Sequence, residues 1–138
     1  MPDTASDIAR NRELIFGGGK PYLAIGPFVG SAASKQALWN DPAADDFEIR
    51  FYPEEVVWYS LDGQELTRSS PVQLVHFCED TIQLLTRYAI ITRGLSTTQF
   101  KELYQIQLKL LEAKVWAGKL YPSARKEMEE QLDKYKRK

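Results

Sequence analysis

Apolar and polar positions alternate most clearly along Phe47-Glu48-Ile49-Arg50-Phe51-Tyr52, the period of a strand with one buried face. Pro53 ends that run. Beyond it, EVVWYSLDGQELTR sets Asp62-Gly63 between two β-prone stretches, which predicts a hairpin with a two-residue turn. In that register Tyr59 faces Leu66 and Val57 faces Arg68. Val57, Tyr59, Leu61 and Leu66 then share one surface, and Trp58, Ser60, Glu65 and Thr67 share the other. Residues 22–25 read as a fourth short strand interrupted by Gly26-Pro27, and SAASKQALWN reads as one or two helical turns capped by Ser31. DPAADD, residues 41–46, follows neither period and is expected to be a loop.

From Ser70 the period becomes helical. Ser70-Pro71-Val72-Gln73 combines a cap, a proline at the first helical position and a glutamine placed to reach back; Gly94 marks the expected stop. Val75, Cys78, Ile82, Leu85 and Ala89 form one apolar stripe, with Leu74, Phe77, Leu84, Tyr88 and Ile91 beside it. A second capping box, Ser96-Thr97-Thr98-Gln99, opens the next helix, whose expected end is Gly118. Its expected inner face is Phe100, Leu103, Tyr104, Leu108, Leu111 and Val115. The last helix starts near Pro122-Ser123 and carries a narrow stripe of Ala124, Met128, Leu132 and Tyr135.

These elements predict a single α+β domain over residues 1–138. A small antiparallel β-meander of three to four strands (residues 20–69) packs on a C-terminal helical hairpin plus a third helix (residues 70–138). Residues 1–19 read as an arm hinged at Gly17-Gly18-Gly19, with Ile8, Leu14, Ile15 and Phe16 as its apolar positions. Of the 138 residues 43% are hydrophobic and 27% charged, as expected of a globular chain with a packed core. The N-terminus lacks the basic start and long apolar run of a signal peptide, and no stretch approaches a membrane span. With one cysteine, no internal disulfide can form. A reducing cytoplasmic setting is therefore expected, with no membrane partner.

Charge changes the picture little. Acid outnumbers base before residue 69 and base outnumbers acid after it, but Lys134, Lys136, Arg137 and Lys138 supply the whole excess. Cations at a helix C-terminus complement its dipole, so nucleic-acid binding through this basic end stands as a weaker alternative.

Candidate chemistry collects at Val75-His76-Phe77-Cys78-Glu79-Asp80, which holds the sole histidine and the sole cysteine. Two residues of helix separate the imidazole from the thiol by about 200°. The pair cannot share a proton from this one element, and Cys78 falls with the apolar stripe. His76 with Asp80 or Glu79 is the acid/base set a small enzyme would use. Asp41, Asp45 and Asp46 lack the spacing of a calcium loop, and Gly17-Gly18-Gly19-Lys20-Pro21 lacks the continuation of a phosphate loop, so neither metal nor cofactor is expected. Trp39, Trp58, Tyr59 and Trp116 are not interleaved with basic residues as a single-strand groove requires. The leading expectation is a non-enzymatic interaction or assembly subunit that binds a protein partner or itself. Its surfaces would be the arm (Ile8, Ile15, Phe16) and the Trp58, Ser60, Thr67 side of the hairpin, unless another element covers that side.

Overall fold

A computed structural model describes residues 21–136. Four strands, β1 (Leu23–Phe28), β2 (Phe47–Phe51), β3 (Val56–Ser60) and β4 (Glu65–Ser69), form one antiparallel sheet in chain order. Helix α1 (Ala32–Trp39) lies in the connection between β1 and β2; α2 (Pro71–Ile91), α3 (Thr97–Leu120) and α4 (Pro122–Lys136) follow the sheet. This is the expected α+β architecture, a small meander against C-terminal helices.

The alternation in β2 works as its period predicts: Phe47, Ile49 and Phe51 are buried, and Glu48 and Arg50 are half-buried. Ile25 and Trp58 flank Ile49 in register, so these side chains share the face that meets the helices. Arg50, Tyr52, Val57 and Tyr59 occupy the opposite face, where the Arg50 guanidinium lies 4.0 Å from the centre of the Tyr59 ring.

Two local expectations change. Gly26-Pro27 does not end β1; it sits inside the strand as a bulge with a cis peptide bond. Gly26 has φ 152°, and a Cβ there would lie 2.9 Å from Glu48 Cβ, so only glycine allows this approach. The β3–β4 turn is also longer than two residues. Ser60 N donates to Gln64 O at 2.8 Å and Gly63 N to Ser60 O at 3.0 Å, leaving Leu61, Asp62 and Gly63 in the loop. Gly63 supplies the positive φ that such a turn requires. Tyr59 therefore opposes Glu65 rather than Leu66, and a bulge restores the expected pairing of Trp58 with Thr67 and Val57 with Arg68.

Both capping boxes form as predicted: Ser70 with Gln73, and Ser96 with Gln99. Helix α2 buries Leu74, Val75, Cys78, Thr81 and Leu85, then emerges, leaving Leu84, Ile90 and Ile91 exposed. It stops at Ile91, before Gly94, which occupies the following turn with φ 77°. Gly118 does not stop α3. The helix runs through it to Leu120, and the missing side chain admits Met128 Sδ to 3.2 Å from where a Cβ would stand. The glycine thus marks the close crossing of α4. Ala124 at the start of α4 is fully buried, whereas Leu132 is exposed.

Candidate functional site

The main departure from the sequence reading lies on α3. Its buried residues are Leu103, Ile106, Leu110, Ala113 and Ala117, whereas Phe100, Tyr104, Leu108, Leu111 and Val115 stay between 41% and 55% exposed. Of the expected inner face only Leu103 is inside. At 100° per residue the two apolar sets occupy arcs of about 80° each, centred about 140° apart. The sheet and α2 take the set containing two alanines, whose small side chains let the helix approach closely. The set with the larger side chains is left outward.

Near the tip of the α2–α3 hairpin this outward stripe borders a cavity of about 230 Å³ lined by Leu85, Ala89, Ile90, Phe100 and Tyr104. Apolar surface therefore continues from α3 onto the end of α2. Contiguous exposed apolar surface of this kind marks interaction sites more often than isolated apolar residues do.

A second surface lies at the β4 edge of the sheet. Phe28 stacks on Phe47, Trp39 meets both Phe47 and Phe77, and Trp58 meets Phe77 edge-on at 5.5 Å. Trp58 is only 7% exposed, so α2 covers the hairpin face that carries it. The alternative of an open Trp58 surface is corrected to that extent. The ring still lines a groove of about 380 Å³ together with Trp39, Phe47, Leu66 and Phe77, and Thr67, Ser69 and Gln73 form its polar rim. Ser60 is instead committed to the turn, donating to the Asp62 carboxylate and accepting from Gln64 N at 3.0 Å. Arg68, the charged group at the groove, is held by Glu65 at 2.8 Å and lies 3.8 Å from Glu55. The groove offers aromatic contact beside an edge strand, an arrangement suited to an extended apolar segment.

The VHFCED turn is divided as its helical phase predicts. Cys78 is fully buried, and burial pushes its thiol up to about 12, so it stays protonated and unreactive in the fold. His76 is half-exposed, but its Nε2 meets Glu127 Oε1 of α4 at 3.2 Å. Glu79 pairs with Lys114 of α3 at 3.2 Å, and Asp80 is exposed. This carboxylate comes from a distant helix, which spacing along one helix does not reveal. A shallow groove of about 400 Å³ lined by Ile82, Gln83, Thr86, Arg87 and Ile90 begins about 10 Å farther along α2.

Among the described residues no group of three or more His, Cys, Asp or Glu side chains is arranged to hold a metal ion. No helix there is long and apolar enough to cross a membrane. Lys134 is exposed. The side chains of Lys136, Arg137 and Lys138, and the arm positions Ile8, Ile15 and Phe16, lie outside the described residues.

Among the described residues, the fold and these surfaces define a small α+β domain with exposed apolar surface on α3 and at the β4 edge. No protein-family model matches the chain, and no curated protein or solved structure is significantly similar to it.

Proposed function

We propose that this chain is a non-enzymatic interaction or assembly subunit working in a reducing compartment such as the cytoplasm. The observation that carries this reading is the outward stripe of α3. Five large apolar side chains span four turns of a helix that already has a separate buried face. Leaving them in water forgoes roughly 25 cal/mol for each Å² a partner would cover. The aromatic groove beside β4 supports the same reading, and the buried Cys78 thiol is compatible with a reducing setting.

The test is cross-linking in cells of the native source, comparing the natural chain with a Tyr104→Glu, Leu111→Glu variant whose circular dichroism is unchanged. Loss of the cross-linked species in the variant supports the proposal. Species that persist unchanged in the variant, or none with either chain, count against it.

The 3.2 Å contact between His76 Nε2 and Glu127 Oε1 favours a second reading, a small enzyme with His76 as its acid/base. A carboxylate beside an imidazole fixes the orientation of the ring. Here His76→Ala must remove turnover while leaving the melting temperature within a few degrees; equal turnover with and without His76 ends this reading.

A further inference from the structure

We infer that the outward face of α3 pairs, antiparallel, with α3 of a second copy of this chain, about a twofold axis near Leu108. The inference rests on the assembly reading and names its partner. The stripe reads nearly the same in both directions: Phe100, Tyr104, Leu108, Leu111 and Val115 are spaced four, four, three and four residues apart. Antiparallel superposition about its midpoint sets Phe100 against Val115 of the other copy and Tyr104 against Leu111, while Leu108 meets its own counterpart. Each aromatic then faces an aliphatic residue, so large and small side chains interdigitate. A parallel pair would instead bring each residue level with itself, aromatic on aromatic at one end and aliphatic on aliphatic at the other.

Charge selects the same orientation. Lys101 and Glu112 are both exposed and flank the stripe on one side, about 20° apart around the helix. Antiparallel pairing brings Lys101 of one copy alongside Glu112 of the other, and the twofold axis repeats the contact. Area is also adequate for a concentration-dependent dimer. The five side chains offer roughly 500 Å² per copy at their observed exposures, so two copies bury about 1,000 Å² before Lys101, Gln105, Glu112 and Ile90 are added. That approaches the 1,200 Å² at which stable interfaces begin.

Sedimentation equilibrium over a hundredfold concentration range should show a monomer–dimer equilibrium for the natural chain. Leu108→Glu should give only monomer, with an unchanged far-ultraviolet spectrum. Lys101→Glu should weaken dimerisation about tenfold, and adding Glu112→Lys should restore it. In a Cys78→Ala background, Leu108→Cys should oxidise to a covalent dimer and Phe100→Cys should not, while mixed Phe100→Cys and Val115→Cys chains should cross-link. Self-linking by Phe100→Cys overturns the antiparallel arrangement. A natural chain that remains monomeric at every concentration overturns the dimer. If that monomer dimerises once residues 1–19 are deleted, the stripe belongs to the N-terminal segment. If it binds another protein through Tyr104 and Leu111, the assembly reading survives without self-pairing.

Discussion

Ser34 Oγ donates a hydrogen bond of 2.7 Å to Glu102 Oε2, joining α1 to α3 across 68 residues of sequence. The same oxygen accepts from Ser31 Oγ at 2.9 Å and Ser31 N at 3.2 Å, so a carboxylate from one helix caps the start of another. The Ser34 hydroxyl is the main cause of the lowered Glu102 pKa; burial opposes it and the Ser31 donors add to it. A carboxyl whose folded pKa is depressed stabilises the fold above its unfolded value. That contribution is lost as pH falls through the lowered folded value. Glu102→Gln should cost about 1 kcal/mol at neutral pH, the site being partly exposed to solvent. The gap to the natural chain should close below about pH 4, the ordinary glutamate range. Urea denaturation across that range checks it; a gap that widens in acid would show that the carboxylate does not cap α1.

Cys78 gives a prediction of opposite sign. Burial raises its folded pKa to about 12, while an unfolded thiol ionises near 8.5. The folded chain therefore keeps a proton that the unfolded chain loses. Stability from this group is complete below about pH 8.5 and declines as pH rises toward 12, by at most about 1.4 kcal/mol per pH unit. In Cys78→Ala this component of the alkaline decline should be missing. At pH 8 a thiol reagent should label the natural chain only at the rate of global or local opening, and rapid stoichiometric labelling would contradict the buried position.

Gly26 is held by backbone geometry and by a neighbour at once. Its φ of 152° is one that other residues rarely adopt, and an added Cβ would stand 2.9 Å from Glu48 Cβ and 3.0 Å from Glu48 Cα. Gly26→Ala should therefore destabilise the chain by about 1–3 kcal/mol, despite the lower entropy of alanine in the unfolded state. Gly63, with φ 91° but no atom within 4 Å of an added Cβ, provides the control. Gly63→Ala should cost less, because it meets strain without a clash. Equal losses at both sites would mean that Glu48 yields freely.

The meander, both capping boxes and the three long helices are legible in the sequence because local rules determine them: alternation in β2, Asp62-Gly63 at the hairpin, and Ser and Gln three residues apart at each cap. The inner face of α3 is not legible, because the helix carries two apolar stripes and periodicity finds both. Which one is buried depends on how closely the neighbours approach, and Ala113 and Ala117 decide that through their small size. The partner of His76 is hidden for a related reason. Glu127 is brought to it by the α3–α4 turn and the close crossing at Gly118, not by any spacing on α2. Leu66, which lines the groove, is the extra residue of the β4 bulge and so does not oppose Tyr59 as an uninterrupted register predicts.

Trp58 and Tyr104 put that distinction to an energetic test, since the sequence leaves the first open between a contact surface and a covered face and places the second in the core. Trp58 is 7% exposed and meets Phe77 edge-on; Tyr104 is 55% exposed on the outward stripe. Truncating a buried aromatic removes its transfer energy and leaves a cavity, so Trp58→Ala should cost about 3–5 kcal/mol. Tyr104→Ala removes a side chain that is more than half exposed and leaves no enclosed cavity. In solutions dilute enough to exclude self-association it should change stability by no more than about 0.5 kcal/mol. Chemical denaturation of both variants at low protein concentration gives the comparison. The reverse order would restore Tyr104 to the core and remove the exposed stripe on which pairing between copies depends.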